Sequence, residues 1–557
     1  MSRPAHPWER SYPSGVRWDA PIEPTTLPRL LDEAVAAYGD RPAIEYRDRP
    51  VSYTEIGRQA DAFAAALLRS SIDPEGAVAL YLPNTPYHPF AFFGTAKAGI
   101  RLAHLSPLDA ERELAHKLHD SGARILVTTN LASMLSMALK LLDAGHVDQV
   151  IVGEDAVWGS CPAPVMPIPE RPDVITFEAF TRDVVPPAQW PTITPDDIAL
   201  LQYTGGTTGT PKGAILTHGN LTAAVAMYEA WFGPQLNTRP GEQKVICVLP
   251  LFHIYALTTI LLRQIRNGNE ILLRLRFDPE TTLRDIEVKR ATAFPGVPTM
   301  WIALANYPGI ENRDFSSMIH CSSGGAPLPV EVGDRFHRLT GQRLLGGWGM
   351  TETSPAGTNL PLKGPPKPGS IGIPMPGVEL DIVSLDEPRR VLGVRETGEL
   401  RVRGLNVSRG YWNKPKETAE SFTEHGFLTG DIGYRDEDGY FFIVDRRKDM
   451  IISGGFNVYP QVIEQAVYEH PQVEEAIVIG IPDAYRGEAA KVFVKLKNRA
   501  PGFTLEELQA FLADKLGKHE MPVALEIRDA LPRTSVGKLS KVELRDAERR
   551  KAEAATS

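Results

Sequence analysis

From residue 33 to residue 130 the apolar residues alternate between a helical and a strand period. Ile56, Ala60, Phe63 and Leu67 recur at the spacing that returns to one side of a helix, whereas "VALYL" at 78–82 is the unbroken apolar run of a buried strand. Strands alternating with helices pair in parallel and are covered on both faces, so the stretch predicts a doubly wound α/β sheet. The 557 residues exceed one hydrophobic core, and about three to four units of roughly 150 residues are expected.

Two later passages change style. "CPAPVMPIPERP" and "VVPPAQWP", within residues 161–195, are rich in proline, which removes backbone donors and blocks helix; they predict a surface connection. From about residue 450 a helix "VIEQAVYEH" is followed by strands "EEAIVIGIP" and "AKVFVKL". Thr504 and Glu507 then form a capping box before a helix with Leu508, Phe511, Leu512 and Leu516 on one face, which together predict a small α+β domain. The tail "LRDAERRKAEAATS" is expected to be a solvated helix that frays.

Composition excludes several classes. With 60 Lys and Arg against 69 Asp and Glu, the net charge of -9 lacks the basic footprint that a nucleic acid requires. Cys161, Cys247 and Cys321 lie far apart, without CxxC spacing or an even count, and are expected as buried free thiols in a reducing cytoplasm. Nowhere do 18 apolar residues run together, and "MSRPAHPWERSYPSG" has no apolar stretch, so neither a span nor a signal peptide is expected.

The loop "YTGGTTGTPKG" at 203–213 lies between apolar strands at 198–201 and 214–217. A nucleotide-kinase loop needs GxxxxGK followed by Ser or Thr and leads into a helix; here the lysine precedes glycine and leads into a strand. The composition still suits phosphate, because glycines let successive amides converge on an anion and Thr204, Thr207, Thr208 and Thr210 add hydroxyl donors. Taken alone, a flexible linker fits the loop as well.

Six further motifs follow in order: "LPLFHIYAL" (249–257), "SSGGAPLP" (322–329), "GGWGMTET" (346–353), "FLTGDIGY" (427–434), "DRRKDMIISGGFNVYPQVIE" (445–464) and "PRTSVGK" (532–538). With the glycine loop, this set resembles the adenylate-forming superfamily of acyl-CoA synthetases, nonribosomal adenylation domains and beetle luciferases over nearly the whole chain. Within it, "LSPLDAERELAHKLHDSGA" at 105–123 and "GFNVYPQVIE" at 455–464 resemble bacterial long-chain and medium-chain fatty acyl-CoA ligases.

The resemblance implies a large domain over 1–445, made of doubly wound α/β sheets with a β-barrel-like part. A hinge at 446–450 and a mobile α+β domain over 451–557 would follow. It also implies two reactions: a fatty acid and ATP give acyl-AMP and pyrophosphate, then CoA displaces AMP. By this match Gly205, Gly206, Thr207, Thr208 and Gly209 hold the outer phosphates, with Lys212 either adding a point charge or remaining a solvated strand-end lysine. Glu352, with Thr204, matches a magnesium site. Gly325, Ala326, Gly347, Trp348 and Thr351 match the surroundings of adenine and the α-phosphate, although Trp348 stands where tyrosine is commoner. Asp431 and Arg446 match the ribose contacts.

Lys538 matches the mobile lysine that reaches the reacting carboxylate and phosphate from the small domain. Rotation about Lys448 would withdraw it and bring Gly454 and Gly455 to a pantetheine channel gated by His253. "LFHIYALTTI", residues 295–300 and "SSGGAP" would line the acyl pocket; their apolar character favours an alkyl tail without fixing its length. Leu257 stands where some long-chain relatives place a tryptophan gate. The resemblance leaves room for contact with the inner face of a membrane, and for a lysine acetyltransferase that silences Lys538 by removing its charge. A carrier-loading enzyme would continue into a carrier domain and a luciferase would end in SKL, so a stand-alone ligase is expected. A fatty-acid binder without catalysis would have lost Glu352, Asp431 or Lys538, and all three are present.

Overall fold

A computed structural model describes residues 5–70, 76–161, 163–204, 211–365, 367–454, 456–483, 485–498, 500–534 and 538–556. Among these residues the strands form four sheets. One runs, edge to edge, through Val174–Thr176, Gln149–Gly153, Ala123–Thr129, Ala77–Leu80, Arg101–His104, Ile198–Thr204 and Lys212–Thr217. Its neighbours are parallel except the last pair, Ile198–Thr204 with Lys212–Thr217. A second large sheet has Leu344–Trp348, His320–Ser323, Ala293–Gly296, Lys244–Cys247, Glu270–Leu273 and Pro42–Tyr46 in parallel, with short antiparallel strands at each edge.

The predicted helix is Tyr53–Arg69, opened by Ser52, whose hydroxyl accepts from the Glu55 amide; such a cap is worth about 1 kcal/mol. Ile56, Ala60, Phe63 and Leu67 are fully buried. They join one core with Leu80, Leu102 and Leu200 of the first sheet and Val245, Ile271 and Leu273 of the second. Each large side chain so covered contributes about 1.5–3 kcal/mol. Helix Tyr87–Lys97 lies in the same core and is buried at every position. Separate clusters cover the outer face of each sheet, which gives the doubly wound arrangement.

The barrel-like part is a five-stranded antiparallel sheet of Glu379–Val383, Gly398–Arg403, Phe422–Thr423, Gly426–Arg435 and Phe441–Arg446. The chain leaves it at Arg446 and enters the small sheet at Ile451. There Val473–Asp483 and Gly487–Leu496 form the long antiparallel pair. Helices Pro460–Tyr468 and Leu505–Leu512 share one apolar cluster of this unit, and the capping box of Thr504 with Glu507 is formed. Leu516 lies past the helix end yet is buried in the same cluster.

Two expectations are corrected. The proline-rich segment does more than connect: it contributes the edge strand Val174–Thr176 and buries Phe177 against the central core. The tail helix, Val542–Thr556, is anchored at its start. Leu544 is fully buried with Ile477, Ile479 and Phe493, and Arg545 pairs with Asp449 at 2.7 Å. Charge counting along the tail overlooked its single leucine.

Candidate active site

The candidate residues of the large domain gather where parallel strands end. Thr204 closes Ile198–Thr204, Gly325 and Ala326 follow His320–Ser323, and Gly347 and Trp348 close Leu344–Trp348, with Thr351 and Glu352 on the next turn. In open α/β sheets ligands bind beyond the carboxyl ends of the strands, because only there do loops from several strands converge. Thr204 pairs with Lys212 across the antiparallel hairpin, and its hydroxyl donates to the Lys212 carbonyl at 3.4 Å. Gly205, Gly206, Thr207, Thr208 and Gly209 lie outside the described residues, as does Gly455.

Glu352 is buried, 5% exposed, and its Oε1 accepts a 2.7 Å bond from the Tyr411 hydroxyl. Burial pushes the carboxyl above its usual range, and the tyrosine only partly offsets this. Lys212 lies with its Nζ 4.8 Å above the centre of the Tyr411 ring. Tyr411 belongs to a segment that pairs with the strand after the glycine loop: Ile215 N donates to Gly410 O at 2.9 Å and Trp412 N to Gly213 O at 2.8 Å. Ser408 N donates to the Glu352 carbonyl at 2.7 Å, tying the same segment to the acidic turn.

Asp431 is 2% exposed and doubly compensated. Arg446 Nε lies 2.7 Å from one carboxylate oxygen, and the Trp348 indole N–H donates to the other at 2.7 Å. The two residues come from adjacent strands, with Asp431 opposite Arg446 in the antiparallel register. Trp348 therefore supplies a donor as well as a flat face.

Lys538 of the small domain reaches this cleft. Gly325 has φ +79°, and a Cβ there would lie 2.7 Å from Lys538 Cε and 3.2 Å from its Nζ. The glycine therefore serves both a left-handed backbone and the close passage of the lysine. Burial, with the charge of Arg446, brings the ammonium down to about 8, while Asp431 opposes the shift. His253 is drawn down to about 3, mainly by burial and then by the Lys538 charge, so it is neutral at physiological pH. Its Nδ1 accepts from the Tyr255 amide at 3.2 Å and caps the turn Ile254–Ala256. That turn runs into a wide π-helical stretch, Leu257–Leu262.

Lys538, Gly325, His253, Asp431 and Arg446 are thus brought together. Gly454 is not: nothing lies within 4 Å of the position its Cβ would take. Lys448 lies in the exposed turn between the antiparallel sheet and the small one.

Sequence reading missed Tyr411 and a set of charges at the domain junction. Asp445 accepts from the Gln461 amide at 2.8 Å, capping helix Pro460–Tyr468 from the other side of the junction. Burial pushes that carboxyl up to about 6. Lys541 pairs with Glu464 at 3.1 Å; burial alone would lower its pKa, but Glu464, Asp445 and Asp449 hold it up. The basic spacing of Lys541 and Arg545 against acidic Asp445 and Asp449 was the available signal.

Among the described residues no three His, Cys, Asp or Glu side chains converge as a metal cage, and no helix is long and apolar enough to cross a membrane. A buried carboxylate such as Glu352 suits a hard cation that arrives on phosphate oxygens and keeps several waters.

A parallel-strand cleft that receives a lysine from a second domain defines an adenylate-forming class. The chain belongs to the family of AMP-binding enzymes: the model described as "AMP-binding enzyme" matches residues 31–412, and that of its C-terminal domain matches residues 462–538. A long-chain-fatty-acid-CoA ligase of Bacillus subtilis is 37% identical over 555 residues, covering 97% of this chain and 98% of the relative. Among solved structures, ATP-bound MatB from Rhodopseudomonas palustris is 27% identical, with a TM-score of 0.82 over 93% of this chain and 98% of its own. Apo MatB from the same organism, also 27% identical, reaches 0.74 over 94% and 98%.

Proposed function

We propose that this chain is an ATP-dependent, AMP-forming ligase that joins a long-chain fatty acid to CoA, and that the arrangement described is its acid-activating state. The observation that carries the reading is Lys538, inserted from the small domain against Gly325 and beside Asp431 and Arg446. A carboxylate cannot expel oxide to accept sulfur at neutral pH; conversion to an acyl-phosphate anhydride supplies a better leaving group. The acid's oxygen attacks the α-phosphorus, pyrophosphate leaves, the thiol of CoA then attacks the carbonyl, and AMP leaves.

Both partners of the first step are anions, so the site must chiefly neutralise and position. Residues 205–209 would hold the departing phosphates with Thr204, and Lys212 adds positive charge next to them. Glu352 and Thr204 would hold magnesium, which supplies charge withdrawal from phosphate oxygens when bound. Asp431, paired with Arg446, would take the ribose hydroxyls. Ala326, Gly347, Trp348 and Thr351 would border the base and the α-phosphate. Lys538 would meet the charge that gathers in the transition state.

The thiol needs the space that Lys538 fills, so the small domain would turn about Lys448 and bring Gly454 to the channel gated by His253. The buried Ile254 and Leu257 would face an alkyl tail, and the full-length likeness to a long-chain ligase supports that substrate. An amphiphilic acid of this kind is concentrated at membrane surfaces, which makes peripheral contact part of the proposal, as is acetylation of Lys538.

The test is Lys538→Ala assayed in halves. Acyl-AMP formation is expected to fall by about three orders of magnitude, the scale for loss of a charge aimed at the transition state. Thioester formation from supplied acyl-AMP should persist. Equal loss in both halves would remove the two-state assignment.

A further inference from the structure

Three contacts meet at one side chain, Tyr411, that has no role assigned above. The Tyr411 hydroxyl donates to Glu352 Oε1 at 2.7 Å, Lys212 Nζ sits 4.8 Å over the Tyr411 ring, and Phe422 meets the ring edge-on with centroids 5.5 Å apart. The backbone of Tyr411 is fixed as well. It pairs with Ala214 across an isolated bridge, and its amide donates to Thr418 Oγ1 at 2.9 Å. Asn406 donates to the carbonyls of Thr353 and Ala356 at 2.7 and 2.6 Å, so segment 406–412 clamps the Glu352 turn at several points.

A glutamate has two soft torsions and a terminal carboxylate that rotates freely, so burial alone does not select which oxygen it presents. A donor fixed in place does select it. The phenol holds Oε1 and so fixes the direction of the other oxygen, and because a phenol is neutral it orients the charge without cancelling it. An arginine in its place would neutralise the site. Lys212 is drawn to the face of the ring by its negative quadrupole, and a cation so placed holds the ring against rotation.

We propose that Tyr411 is a positioning residue that presents Glu352 to a divalent cation carried by ATP, and that Lys212 acts on Glu352 through the Tyr411 ring. This rests on the reading of Glu352 as a cation ligand. The test measures binding of ATP with and without magnesium by calorimetry, in the full-length protein. Tyr411→Phe keeps the ring and removes the donor; it is expected to weaken binding of magnesium-ATP about tenfold, the scale of a charge-assisted hydrogen bond. ATP binding in EDTA should be unaltered, and the half-saturating magnesium concentration for pyrophosphate exchange should rise by the same factor.

Lys212→Met also removes a charge beside the phosphates, which weakens binding with and without magnesium alike; the further, magnesium-dependent part is expected to be about threefold and to add nothing in the double variant, since both changes interrupt one chain of contacts. Equal weakening by Tyr411→Phe with and without magnesium would overturn the proposal, because it would make Tyr411 a support of the nucleotide site at large. Additive magnesium-dependent effects would overturn the route through the ring. Glu352→Gln separates the two readings: if it abolishes the magnesium preference and Tyr411→Phe leaves that preference unchanged, the positioning role fails alone. If Glu352→Gln leaves the preference intact, the cation role itself fails.

Discussion

The cleft contains two carboxylates buried to the same degree and partnered in opposite ways. Asp431, 2% exposed, meets a guanidinium and an indole N–H, while Glu352, 5% exposed, accepts from a neutral phenol and from its own backbone amide. An ionised group taken from water must be compensated, or its pKa moves toward the neutral form. The carboxylate in direct contact with a guanidinium is prepared for neutral hydroxyls; Glu352, which among the described residues feels Arg446 only at a distance, is prepared for a cation that arrives. Partnering, more than burial, separates a ribose site from a cation site.

The comparison breaks most visibly in rate. Glu352→Gln is expected to lower acyl-AMP formation by about two to three orders of magnitude, as removal of an aimed charge does. Its thermal midpoint should stay level or rise, because a strained buried charge has gone. Asp431→Asn should do the reverse in stability: loss of a charge-assisted bond to Arg446 costs about 1–3 kcal/mol in denaturant unfolding. If Glu352→Gln were the more destabilising of the two, the contrast would be wrong.

A pH profile of kcat/KM for ATP sharpens it further, since that quantity reports the free enzyme. Lys538 must carry its proton, and with its pKa brought down to about 8 the activity should decline as pH rises through that value. Glu352 must lack one, and its raised pKa moves the acid limb above the ordinary carboxylate range. Lys538→Arg should push the basic limb out of the measurable window, because a guanidinium does not titrate there.

Smaller effects follow for the partners. Trp348→Phe retains an aromatic face but deletes the donor to Asp431, and KM for ATP should rise about threefold to tenfold, with kcat less changed. Arg545→Ala, which frees the tail helix from Asp449, is expected to cost about 0.5–1 kcal/mol in unfolding, the size of a partly exposed ion pair.

Much of the scaffold was legible because periodicity reports burial directly. Ile56, Ala60, Phe63 and Leu67 announced their helix, and the capping box at Thr504 announced another. The strands flanking the glycine loop were equally plain, extending in the structure to Thr204 and Lys212. Tyr411 was not legible, since its role depends on a strand pairing with residues almost two hundred positions earlier and no local pattern encodes that. The same applies to Asp445, which caps a helix belonging to another sheet. Trp348 stood out where tyrosine is commoner, but its N–H acquired meaning only when Asp431 was placed 2.7 Å away. The tail helix was misjudged because its one leucine was outweighed by its charges.

Gly325 carries a consequence for how variants of such a protein should be interpreted. Its absent methyl group is the doorway through which Lys538 passes, so Gly325→Ala would leave every charged group in the cleft chemically intact while barring the lysine from it. The loss would register as a shift in population between domain arrangements, with the full reactivity still present in the rare molecules that close. A mutation map scored on activity alone would rank this glycine beside the lysine, although one supplies the charge and the other only its admission.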